Sequence, residues 1–290
     1  MKEIRLSNEY LTAIVATKGA ELTSLKKDEV EYIWQADTNY WARHAPILFP
    51  IVGKLKGDTY YYSGKSYHMK QHGFARDIEF DLLEQKNDRV SLVLQSNAKT
   101  LAYYPFKFEL IITHSLKKNK LITAFSVKNI GSKDLFFSIG AHPAYNCPLK
   151  QGHKREDYIL RFDDATDVKS KVLKNGTVSF DTKKVLVNKQ DLVLSKDAFI
   201  DDAVVFDPNP FRKATLIHKE SNQAFLEVHF QAFPYLGVWS KNENAPFVCV
   251  EPWFGIADYE NHNQELRTKK GIMKLEKCTS FEYDYAVKIL

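Results

Sequence analysis

Residues 106–127 read FKFELIITHSLKKNKLITAFSV. Phe106, Phe108, Leu110, Ile112, His114 and Leu116 share one parity, and Lys107, Glu109, Thr113 and Ser115 share the other. A period of two with one apolar face is the pattern of a half-buried strand. Residues 117–120, which include Asn119, make a polar turn, after which Leu121, Thr123, Phe125 and Val127 resume the alternation, so a hairpin is expected. The same period recurs over residues 89–94, in Ala224, Leu226, Val228 and Phe230, and in Phe281, Tyr283, Tyr285, Val287 and Ile289. Helical candidates are few and short: residues 38–43, residues 97–104 ended by Pro105, and residues 196–199. The expected fold is therefore all-β, a large antiparallel sandwich with a few short helices.

The rest of the 290-residue chain fits that reading. Aromatic residues make up 13%, which suits broad pleated faces packed on one another. No Pro-, Gly- or Ser-rich linker and no repeat marks a boundary, so residues 1–290 are expected to form one domain. Forty-one basic against 36 acidic side chains leave a net charge of +5, spread along the chain, which argues against a nucleic-acid partner. The N-terminus lacks the apolar core of a signal peptide, and no window approaches the roughly 20 apolar residues of a membrane span. Cys147, Cys249 and Cys278 are odd in number and widely spaced, which favours a reducing, cytoplasmic setting over a disulfide scaffold or a structural zinc site.

Two places combine an apolar run, an ionisable residue and a proline. Glu251 follows Phe247-Val248-Cys249-Val250 and precedes Pro252, and we expect it at the end of a buried strand, with its backbone held extended by the proline. His142 follows the apolar stretch 135–141 and precedes Pro143. One group is suited to taking a proton and the other to giving one near neutral pH. The plainer alternatives are a strand-end acid paired with a surface cation and a hydrogen-bonded structural histidine. A loop, Lys70-Gln71-His72-Gly73-Phe74-Ala75-Arg76, brings a third histidine and an arginine, and residues 41–53 bring Arg43, two prolines and a glycine into one short stretch. Both arginines offer fixed donors to a ligand's oxygens or to a surface acid. His68 and His72 are four apart but have no third ligand at sensible spacing, so no metal site and no cofactor are expected.

Four blocks in order, PILFPIVG at 46–53, QHGFAR at 71–76, GAHPAY at 140–145 and VCVEPW at 248–253, make the chain resemble the aldose 1-epimerase, or galactose mutarotase-like, superfamily. Within it the likeness is to LacX-type and hexose-6-phosphate mutarotase-like branches. The resemblance implies a galactose mutarotase-like supersandwich with an open sugar site and a cofactor-free interconversion of α and β anomers. Carried over, it makes Glu251 the general base, His142 the general acid and His72 a second histidine near the ring oxygen. Asp202 becomes the sugar-binding aspartate, with its neighbour Asp201 as the alternative, and Arg76 and Arg43 become substrate-binding arginines. Arg43 is followed by His44-Ala45-Pro46, one residue shorter than the R-G-G-x-P form of the phosphosugar branch, so free and phosphorylated sugars are alternative substrates. A non-catalytic sugar-binding sandwich is the competing function, although it would have little need for a matched acid and base.

Overall fold

The computed structural model describes residues 2–290. Two large sheets dominate it. One is nine-stranded and runs, in spatial order, from Asp191–Val193 through Tyr158–Phe162, Lys213–His218, Ala224–His229, Ser280–Ile289, Lys120–Asn129, Phe108–Lys117 and Arg89–Gln95 to Asp81–Lys86. The other is eight-stranded and is centred on Tyr235–Trp239 and Phe247–Phe254. Every pairing between these strands is antiparallel. The expected hairpin is present in the register that parity demands, with Leu110 across from Val127 and Lys117 across from Lys120. Phe108, Leu110, Ile112, His114 and Leu116 are all buried, as are Leu121, Thr123, Phe125 and Val127 on the return strand. One core cluster, from Ile4 to Ile289, fills the space between the sheets.

The short helices fare unequally. Ala98–Tyr103 is helical because Asn97 accepts the amides of Lys99 and Thr100, satisfying donors that a helix start leaves free. Lys196–Phe199 is a single 3₁₀ turn. The helix expected over residues 38–43 does not form. Asp37 closes one turn by accepting the amide of Asn39 on its carboxylate and those of Tyr40 and Trp41 on its carbonyl. Beyond it the carboxylate of Glu21 takes the amides of His44 and Ala45 and holds the chain open.

The eight-stranded sheet separates its two faces by parity. Val248 and Val250 point into the main core, while Cys249, Glu251 and Trp253 point to the opposite face. The Trp253 indole lies across both neighbouring strands, which is possible only because glycines flank it. A Cβ on Gly237 would come within 2.4 Å of the indole ring, and one on Gly140 within 2.7 Å. Gly237→Ala is therefore expected to lower the unfolding free energy by about 1–3 kcal/mol through overpacking. Denaturant unfolding measures it, and an unchanged midpoint would mean that the indole is not seated there.

Candidate active site

The register of the central strand builds the site. Gly140 pairs with Trp253, and Ala144 pairs with Cys249, on either side of a short break in the ladder. The break falls where Pro143 and Pro252 have no N–H to give. The register is the same on both sides of it, which sets His142 directly across from Glu251. Directly opposed residues project side by side on one face of a sheet. Glu251 therefore stands in the middle of the strand Phe247–Phe254, and not at its end as the sequence suggested; pairing to Tyr235–Trp239 on its other edge carries the strand through the proline.

Nε2 of His142 lies 3.2 Å from Oε2 of Glu251, and the residues are 7% and 1% exposed. Oε2 of Glu251 and Nδ1 of His142 have no hydrogen-bond partner within the protein. Trp41 stacks on the imidazole at 4.8 Å, and Trp239 and His72 meet it edge-on, so the ring plane is fixed on three sides. Burial pushes the Glu251 carboxyl well above the ordinary carboxylate range, and the nearby Asp202 charge adds to the effect. Burial also drives the His142 imidazole down to about 3, aided by the positive charge of Arg76. Both shifts favour the neutral forms, a carboxylic acid beside a neutral imidazole, over a buried carboxylate and imidazolium.

Two loops complete the cleft. His72 has φ +68° and buries its ring, with Nδ1 accepting the amide of Gly53 at 3.2 Å. Nε2 of the ring lies 3.2 Å from the side-chain amide of Gln71. Gly53 in turn accepts the His72 amide on its carbonyl, and Phe49 accepts those of Phe74 and Ala75. The close approach depends on Gly73, where φ is +70° and a Cβ would lie 2.2 Å from the Phe49 carbonyl oxygen. The PILFPIVG and QHGFAR blocks are thus two halves of one clamp, which holds His72 beside His142.

The cleft has a volume of about 540 Å³, and Glu251, His142, His72, Asp202 and Arg76 all line it. Arg76 donates from Nη2 to the Gln71 carbonyl at 2.7 Å, and its Nε has no partner within the protein. Burial and the neighbouring Arg43 charge lower its pKa to about 10, which leaves it cationic at neutral pH. Arg43 is not among the residues lining the cleft; its guanidinium bonds Asp77 at 2.9 Å. Of the two aspartates, Asp202 faces the cleft and Asp201 pairs with Lys183 at 2.9 Å. His68 is exposed on the strand Lys65–His68, away from any helical pairing with His72. Trp239 and Lys241 also line the cleft, and sequence reasoning named neither.

The antiparallel β architecture is that of galactose mutarotase-like proteins. The chain belongs to the aldose 1-epimerase family, whose profile matches residues 2–274. It is 36% identical to the chromosomal LacX protein of Lactococcus lactis subsp. lactis over 99% of both chains. A galactose mutarotase related enzyme from Lactobacillus acidophilus superimposes with a TM-score of 0.94 at 32% identity, covering 100% of this chain and 97% of that one. A galactose mutarotase-like protein from Lactobacillus casei ATCC 334 does so at 0.92 and 32%, covering both chains completely. Among the described residues no helix is long and apolar enough to cross a membrane.

Asp202→Asn is expected to lower the Glu251 pKa, since the like charge that opposes its ionisation is removed while the side-chain contact to the Ala203 amide is kept. Carbon-13 NMR titration of the Glu251 carboxyl measures the shift. An unchanged or higher midpoint would show that Asp202 does not act on the pair.

Proposed function

We propose that the protein interconverts the α and β anomers of a hexose or closely related aldose by acid–base ring opening and closure, without a cofactor. The observation that carries this reading is the placement of His142 directly across from Glu251 in a cleft also lined by His72 and Asp202. The anomeric hydroxyl and the ring oxygen of an aldose are bonded to the same carbon. An acid and a base that serve them together must therefore sit side by side, as these two do.

In the ion-pair form, Glu251 takes the proton of the anomeric hydroxyl while Nε2 of His142 gives one to the ring oxygen. The C1–O5 bond breaks and the open-chain aldehyde forms. The site is then left as a neutral carboxylic acid and a neutral imidazole, the pair of states that burial favours. Rotation about C1–C2 presents the other face of the aldehyde. Glu251 returns its proton to the carbonyl oxygen, His142 takes the proton of the attacking hydroxyl, and the ring closes as the other anomer. No proton leaves or enters the site over a full cycle. His72 and Asp202 supply hydrogen bonds to the sugar, and Trp41 and Trp239 keep the His142 imidazole in plane. The proposed setting is the cytoplasm, where three unpaired thiols are stable.

A phosphorylated sugar is a second reading, favoured by the unpartnered Nε of Arg76 at the cleft. A guanidinium offers several fixed donors to a phosphate.

Glu251→Gln keeps the side-chain shape but cannot accept the proton, and anomer exchange measured by polarimetry is expected to fall by about 10²–10⁴-fold with the fold retained. A folded variant with undiminished exchange would remove Glu251 as the base. Arg76→Ala distinguishes the substrates. For a phosphosugar it raises KM for the 6-phosphate alone, by the loss of about 1.5–3 kcal/mol of charge-assisted contact. For a free sugar it changes both forms alike, and a loss confined to the free sugar would take Arg76 out of the site.

A further inference from the structure

We propose that Cys249, His142 and Glu251 form a binding site for a thiophilic divalent cation such as zinc, and that the bound ion silences the acid–base pair. Cys249 and Glu251 are two residues apart on one strand and so face the same way, with His142 across from Glu251. One donor atom from each of the three residues lies within 4.8 Å of the others, and all three side chains are buried. Zinc bonds of about 2.0–2.3 Å at tetrahedral angles require donors roughly 3.3–3.8 Å apart. The His142–Glu251 pair is already at 3.2 Å, so the thiol alone has to swing inward. The Glu251 side chain is 2% exposed, and its Oε2, 3.2 Å from Nε2 of His142, accepts no hydrogen bond within the protein.

The donor set suits the ion in kind and in charge. A thiolate, an imidazole and a carboxylate are the three ligand types that zinc accepts, and three ligands with a fourth position open to a cleft is the arrangement of exchangeable sites. Cys249 binds as the thiolate, Glu251 as the carboxylate and His142 as the neutral imidazole, and the protons displaced go to solvent. The two anionic ligands then balance the dication, so its burial leaves no net charge. Zinc bonded to Nε2 and Oε2 occupies the lone pairs that ring opening uses, which makes the ion an inhibitor competitive with sugar. The inhibition rests on the proposed function; the binding does not.

Cobalt(II) titration of the full chain separates the two. A near-ultraviolet thiolate-to-cobalt band of one ion per chain is expected in the wild type and in Cys278→Ser, and no band is expected in Cys249→Ala. Cys249→Ser takes its place if the alanine variant does not fold. Zinc is expected to inhibit wild-type anomer exchange, and the Cys249 variant, whose metal-free exchange is unchanged, should need at least about ten times more. A band that survives in the Cys249 variant, its absence from the wild type, or equal zinc sensitivity of the two would overturn the proposal. A cobalt band in a protein with no exchange activity would leave the metal site standing and overturn the functional reading instead.

Discussion

The structure depends on one constraint: the ladder around Phe247–Phe254 must keep its register across a gap in which two prolines have no N–H to give. Pairing on both flanks, Gly140 with Trp253 and Ala144 with Cys249, fixes that register. A slip by one residue would turn Glu251 into the main core and leave Val250 facing the cleft. Val248 and Val250 on the buried face resist such a slip, because every apolar contact they make would be lost with it. The position of the acid and base is thus enforced by hydrophobic packing on the far side of the sheet.

That enforcement is needed because the pair is costly. A buried carboxyl beside a buried imidazole, with atoms on both left unpartnered, is an arrangement that a sheet selected for stability alone would avoid. The protein contains the cost by favouring the neutral form of each group and by surrounding them with apolar surface. Trp41 and Trp239 hold the ring, and Trp253 lies on glycines beside them. The clamp between residues 49–53 and 72–75 adds His72 from outside the sheet, so no part of the site depends on a single element.

Much of this was legible in the sequence, for identifiable reasons. The strands of the hairpin 108–129 declare themselves through a period of two, which is local information. His142 and Glu251 stood out because each joins an apolar run to a proline, but the run could not reveal that the strand continues past Pro252. That depends on partners at Tyr235–Trp239 and Ile139–Ala141, far away in the chain. The same limit explains Arg43, whose fate is decided by Asp77, and Asp201, which is taken by Lys183. Trp239 was not legible as a site residue because its cleft-facing side is set by pairing with Cys249 and not by its neighbours in sequence. Residues 38–43 misled as a helix because Asp37 makes one turn locally and Glu21 opens the chain from a distance.

The central claim is that the His142–Glu251 pair moves protons to and from a bound sugar instead of only holding it. Exchange NMR on a hexose labelled with carbon-13 at C1 tests this most directly. In the presence of the wild-type protein, cross-peaks linking the α and β anomers should grow far faster than in buffer alone, through a short-lived open-chain aldehyde. Line broadening that reports sugar binding, with the α–β exchange rate left at its spontaneous value, would contradict the account and make the cleft a binding site only.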